Sequence, residues 1–136
     1  MYEEMMNEVG QATMKNDWST FKRYVTEDFT YKLVGAGMTL SYDEFFTLVE
    51  TQTILNPEDK HNPYKMIEIN DYVITFYENT SVENGKITER MRCHDVIKME
   101  GKRIKSIVVY NSIVPEFKSI GRWLNSLNVE YERQSI

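Results

Sequence analysis

Polar and apolar positions change period once along this chain. Over residues 2–15, Tyr2, Met5, Met6, Val9, Ala12 and Thr13 recur at helical spacing, with acids in the first turn. Gly10 weakens that helix, and Asn16 and Asp17 break it. Asp17 is placed to cap a second, short helix whose buried stripe is Trp18, Phe21 and Val25. Phe29 to Val34 reads as a strand ending at Gly35-Ala36-Gly37. Ser41 with Glu44 forms a capping box that opens a helix facing Phe45, Leu48 and Val49 inward. Thr51 to Pro63, with two prolines and many turn formers, reads as a loop.

From Tyr64 the period becomes two. Four runs alternate with turn signals: Tyr64–Ile69, Tyr72–Glu83, Lys86–Lys98 and Arg103–Val114. The turns are Asn70-Asp71, Asn84-Gly85 and Glu100-Gly101, so the runs predict an antiparallel meander. Pro115 stops it. A last helix over 115–128 carries Phe117, Ile120, Trp123, Leu124 and Leu127 on one face, followed by a polar tail. Helices first and a long-stranded sheet afterwards give the α+β class.

Unbroken two-residue turns fix a register. Asn84-Gly85 sets Phe76 opposite Cys93 and Ile74 opposite Asp95. The next turn sets Asp95 opposite Ser106, Cys93 opposite Val108 and Met91 opposite Tyr110. Directly opposed side chains share a face. One face then holds Tyr72, Ile74, Phe76, Ile87, Met91, Cys93, Ile97, Met99, Ile104, Val108 and Tyr110, with Glu78, Glu89, Asp95 and Ser106 as its polar members. The other holds Thr75, Tyr77, Arg90, Arg92, His94, Lys98 and Lys105, with Val73, Val96, Ile107 and Val109 between them. The run Cys93-His94-Asp95 looks like a catalytic row, but alternation along a strand sends His94 to one side and Cys93 and Asp95 to the other. A single bulge would flip part of this register.

A chain of 136 residues fits one domain and buries enough surface to need no staple. One cysteine allows no internal disulfide, which suits a reducing, cytoplasmic setting. A Cys-rich zinc site is excluded, and no motif implies a metal or cofactor. The net charge of −5 argues against nucleic acid and anionic membrane as partners. No apolar run reaches the ~20 residues of a spanning helix, and the acidic start is unlike a signal peptide.

The stretches KNDWSTFKRYVTEDFTYKLVGAG, LSYDEFFTLVE and CHDVIKMEGKRIKSI, in this order and spacing, resemble the nuclear-transport-factor-2-like superfamily, in its SnoaL-like and ketosteroid-isomerase-like branch. The likeness spans residues 2 to about 114. It implies a cystatin-like α+β cone: one domain over 1–136, a curved antiparallel sheet wrapped by the N-terminal helices, and the C-terminal helix as an addition. It also implies a cavity under the concave sheet face and a homodimer through the opposite face. Arg92, His94, Val96, Ile107 and Val109 would carry that dimer face. In the steroid isomerases of this superfamily a carboxylic acid donates a hydrogen bond to the substrate's developing oxyanion, and Asp95 falls at its position. The segment matching their general base, Tyr31 to Gly35, carries no carboxylate. Their helical tyrosine falls near Val9, and the cyclase-like His and Asp fall near Ile107 and Asn111.

The candidate catalytic residue is therefore Asp95, an acid on an apolar face, bonded alternatively to Ser106 or Tyr110 as a structural pair. Met14, Trp18, Tyr31, Ile74, Phe76, Met91, Cys93, Ser106, Val108 and Tyr110 are the expected pocket lining. Cys93 reads as a small buried hydrophobe. Glu78 and Glu89 read as rim residues. His61 stands in a Pro-flanked loop, either solvated or folded over a cavity mouth. Two functions compete: a protein that binds a small, mostly apolar molecule, with or without lyase or isomerase activity, and a non-catalytic interaction module whose cavity is filled by side chains. A roomy cavity with Asp95 exposed to it favours the first.

Overall fold

The computed structural model describes residues 1–113. The helix expected over 115–128, the polar tail and Val114 lie outside the described residues. Three helices and six strands follow in the order α1 (Glu3–Met14), α2 (Trp18–Lys22), β1 (Val25–Leu33), β2 (Met38–Ser41), α3 (Tyr42–Leu55), β3 (Lys60–Ile69), β4 (Tyr72–Glu83), β5 (Lys86–Glu100) and β6 (Arg103–Ile113). The strands form one curved, open sheet in the order β2-β1-β6-β5-β4-β3. Every pair is antiparallel except β1 with β6.

Local chemistry sets the helix boundaries as expected. The Asp17 carboxylate accepts from the Thr20 backbone N–H at 3.2 Å and caps α2. Ser41 and Glu44 form the reciprocal capping box, with the Ser41 N–H donating to Glu44 at 2.9 Å. Asn84 and Gly85 both take positive φ, as a type I′ turn requires.

The helices pack against the concave face of the sheet through an aromatic cluster. Phe29 of β1 meets Phe45 of α3 edge-on at 5.3 Å, and Phe45 meets Phe46 at 5.0 Å. Phe21 of α2 joins both. Phe29, Leu33, Val73 and Ile104 are the largest fully buried side chains.

Within the β3–β6 meander, three irregularities separate the observed register from an uninterrupted one. The Asn84-Gly85 turn pairs Glu83 with Lys86 and Val82 with Ile87, but Ser81 then pairs with Glu89. Thr88 is the extra residue of this β-bulge, and its hydroxyl donates to the Ser81 carbonyl at 3.3 Å. In the next hairpin the two-residue turn is Gly101-Lys102, and Lys105 is extra: Met99 pairs with Ile104, but Lys98 pairs with Ser106. On the sheet edge Tyr64 is extra, next to Pro63.

These bulges correct the expected faces. Beyond Thr88, Cys93 faces Tyr77 rather than Phe76, and Asp95 faces Thr75 rather than Ile74. Beyond Lys105, Asp95 faces Val109 rather than Ser106, and Cys93 faces Asn111 rather than Val108. Ile74, Phe76, Ser106, Val108 and Tyr110 therefore sit on the convex face. Ile107 and Val109 move the other way and are buried on the concave face. They cannot share an outer surface with Arg92, His94 and Val96. The convex face carries an aromatic row across four strands: Tyr64 to Phe76 at 6.5 Å, Phe76 to His94 at 5.9 Å, and His94 stacked on Tyr110 at 4.9 Å.

Several elements differ in extent from expectation: Val25, expected on the α2 stripe, opens β1, which therefore starts before Phe29, and β5 runs on to Glu100. The short strand β2 has no counterpart in the sequence pattern. The segment read as a loop splits between the end of α3 and the start of β3, because an edge strand tolerates Pro63 where an inner one would not.

Phe29→Ala should cost about 3–5 kcal/mol through the cavity it leaves in the aromatic cluster. Ser41→Ala should cost about 1 kcal/mol through the lost cap. Urea denaturation of the two variants measures both.

Candidate functional site

Between the concave sheet face and the helices lies a cavity of about 520 Å³. The sheet supplies Thr75, Tyr77 and Asn79 from β4, Cys93 and Asp95 from β5, and Ile107, Val109 and Asn111 from β6. The helices supply Val9 and Met14 from α1, Trp18 and Phe21 from α2, and Phe45, Val49 and Gln52 from α3. Tyr31 of β1 closes one wall, and Asp59, Lys60, His61 and Pro63 lie along the β3 side.

Met14, Trp18, Tyr31, Met91 and Cys93 line this cavity as expected from the sequence. Ile74, Phe76, Ser106, Val108 and Tyr110 do not, because the bulges turn them outward. The rim acids also part ways. Glu78 forms ion pairs with Arg90 at 3.2 Å and Arg92 at 3.8 Å, whereas Glu89 is buried and lines the cavity.

Asp95 sits on the sheet wall of this space. It is half-buried, and it lines the cavity. The Tyr77 hydroxyl donates to Asp95 Oδ1 at 2.8 Å. The expected partners, Ser106 and Tyr110, are on the other face. Loss of water raises the Asp95 carboxyl to about 7, and the Tyr77 hydrogen bond works against that rise. Tyr31 and Tyr77 are both held well above the usual tyrosine value, first by burial and then by the neighbouring Asp95 charge. Burial and Asp95 push the Cys93 thiol up to about 12, which makes it a neutral wall residue rather than a nucleophile.

His61 belongs to the same cluster. It packs against the Tyr77 ring at 4.4 Å, and its Nδ1 lies 2.9 Å from Asn79 Oδ1. Burial holds the imidazole below its ordinary value, and the Asn79 bond opposes this. His94, by contrast, is stacked in the convex aromatic row, so the two histidines lie on opposite faces. Tyr77, Asn79 and His61 are not among the lining residues expected from the sequence. Tyr77 is hidden there by its neighbour Phe76, which satisfies an apolar pattern equally well. The signal that could have found His61 is Pro63, a residue that marks an edge strand as readily as a loop.

Among the described residues no group of three or more His, Cys, Asp or Glu side chains is placed to hold a metal ion. No described helix is long and apolar enough to cross a membrane.

No protein-family model and no curated protein sequence matches the chain. Solved structures do match. An NTF2-like protein of unknown function from Cytophaga hutchinsonii has a TM-score of 0.65 at 19% identity, over 85% of this chain and 92% of that one. A protein with a cystatin-like fold from Xanthomonas campestris has a TM-score of 0.69 at 12% identity, over 82% of this chain and 90% of that one. A hypothetical protein with a ketosteroid-isomerase-like fold from Catenulispora acidiphila, solved in complex with trimethylamine, has a TM-score of 0.68 at 13% identity, over 81% of this chain and 86% of that one. At these identities the likeness is one of architecture: this chain has the NTF2-like, cystatin-like α+β fold.

The Asp95 carboxyl should titrate near 7 in a carbon-detected NMR experiment. Tyr77→Phe should raise that value further, because the bond removed favours the ionised form. Asp95→Asn should stabilise the protein at alkaline pH. The native carboxyl keeps its proton between about pH 4 and 7 while the unfolded chain has lost it, so stability falls with rising pH over that window. The gain on substitution should be near zero at about pH 4, grow through the window, and level off above about pH 7 at on the order of 4 kcal/mol. Denaturant titrations across pH measure it.

Proposed function

We propose that this protein binds a small, mostly apolar molecule in its cavity and that Asp95 gives a hydrogen bond or proton to an oxygen of that molecule. The observation that carries this reading is a carboxyl placed in an aromatic enclosure of about 520 Å³ and fixed at one oxygen by Tyr77. The volume falls in the range of small-molecule sites. With Tyr77 donating to Oδ1, the protonated carboxyl has its second oxygen available to donate. Ketosteroid isomerase relies on the same chemistry: an apolar site there keeps a carboxylic acid neutral, so that it can donate a hydrogen bond. The reaction class that fits is proton transfer, as in an isomerase or lyase.

The open volume favours this reading over a filled-cavity interaction module. Fold alone does not choose between them, since one scaffold hosts many functions. Assembly as a homodimer would use the convex face, where Arg92, His94 and Val96 lie with Val108 and Tyr110. This set replaces the one expected from the sequence.

A neutral apolar ketone tests the reading. 2-Tetralone should bind to the protein with saturable shifts of the Tyr77 and Asp95 resonances. Its affinity should weaken by about tenfold between about pH 6 and pH 9 as the donor proton is lost. Asp95→Asn, which keeps an N–H donor, should bind with no such pH dependence, and Asp95→Ala should bind weakly throughout. Absence of saturable binding would overturn the reading.

A further inference from the structure

We propose that His61 is the base that works with Asp95: its Nε2 takes a proton from a carbon next to the carbonyl of a bound ketone or aldehyde while Asp95 donates to the carbonyl oxygen. This rests on Asp95 as proton donor and supplies the acceptor that the first-strand segment, Tyr31 to Gly35, lacks.

The geometry that points to His61 is continuous. β3, β4 and β5 are neighbours in the sheet: His61 pairs with Asn79, Asp95 pairs with Thr75, and Tyr77 stands between Asn79 and Thr75 on the same face of β4. Tyr77 spans the two, with its ring against the imidazole at 4.4 Å and its hydroxyl on Asp95 at 2.8 Å. Asn79 Oδ1 lies 2.9 Å from Nδ1, so Nδ1 carries the hydrogen and Nε2 the lone pair. A base oriented by a second side chain, one tyrosine away from an acid, is the arrangement that bifunctional proton transfer needs.

The step balances without a further reactant. The carbon–hydrogen bond breaks and its proton passes to His61 Nε2. The electron pair forms the carbon–carbon double bond of the enol, and the carbonyl oxygen takes the Asp95 proton. Reversal at the same carbon exchanges the proton. Return of the His61 proton to a conjugated carbon, with Asp95 recovering its own, moves a double bond.

Burial depresses the imidazole and raises the carboxyl, so both are neutral together in the interval between the lowered imidazole value and about pH 7, the condition for a base and an acid in one site. The other ionisable groups facing the pair are Tyr31 of β1, Tyr77 of β4 and Cys93 and Glu89 of β5, with Asp59, Lys60 and Arg90 near the mouth. The two tyrosines and the thiol are held far above neutrality and stay protonated in this range.

The test is exchange of the 2-tetralone α-hydrogens into D2O, followed by NMR with the full chain. The native protein should accelerate exchange over buffer with a bell-shaped pH profile. His61→Ala and the polar His61→Gln should each lose about 100-fold or more in exchange rate and the acid limb of the profile, while binding changes by less than about threefold. Asp95→Asn should lose the alkaline limb and keep the acid one. Absence of 2-tetralone binding overturns the pocket reading and this proposal together. Binding without accelerated exchange, or exchange that survives both His61 variants, overturns the role of His61 alone.

Discussion

The extra residue at Thr88 governs what this protein has in its interior. Strand side chains alternate with a period of two, so one inserted residue exchanges the faces of everything beyond it. Without the bulge, Phe76 and Ile74 would accompany Cys93 and Asp95. With it, Tyr77 and Thr75 do. The consequence is chemical, because a phenol takes the place of a phenyl ring beside a half-buried acid. The bulge at Lys105 acts on the other flank and brings Val109 and Asn111 to the same wall in place of Val108 and Tyr110. Lys105 is held in that position by Asp28 at 3.1 Å.

The site that results runs against the hydrophobic effect. The aromatic cluster of Phe21, Phe29, Phe45 and Phe46 ties the helices to the sheet. Burial raises the carboxyl, the phenols and the thiol and lowers the imidazole, all by the same loss of hydration. The Tyr77 hydroxyl is the one contact described that favours an ionised Asp95. A carboxyl set between these opposing influences exchanges its proton near neutrality, whereas one on the surface would not.

The sequence carried the architecture because local rules agreed with one another. Asp17, the Ser41–Glu44 box and the Asn84-Gly85 turn each act over a few residues, and each forms as its chemistry dictates. Asp95 was legible as an acid on the apolar side of β5, since that strand alternates cleanly through Met91, Cys93, Ile97 and Met99. Its neighbours were not legible. β4 reads Val73-Ile74 and Phe76-Tyr77, and β6 reads Ile107-Val108-Val109, so both of their faces are apolar and neither rejects a one-residue slip. A bulge leaves no mark in such a stretch. His61 was obscured differently, because Pro63 breaks an inner strand but is harmless on an edge, where alternate N–H groups point away from the sheet.

Pro63 has a second effect. β3 is a long edge strand, and an edge of that length offers a row of outward-facing backbone groups onto which another chain could add. Pro63 removes one donor from the row, the extra residue Tyr64 twists the strand, and Lys60 and Lys65 put charge along it. The opposite edge, β2, is four residues long and too short to recruit a partner. Both borders of the sheet are thus closed to strand addition, and the chain can keep an apolar sheet and an open cavity without templating its own aggregation.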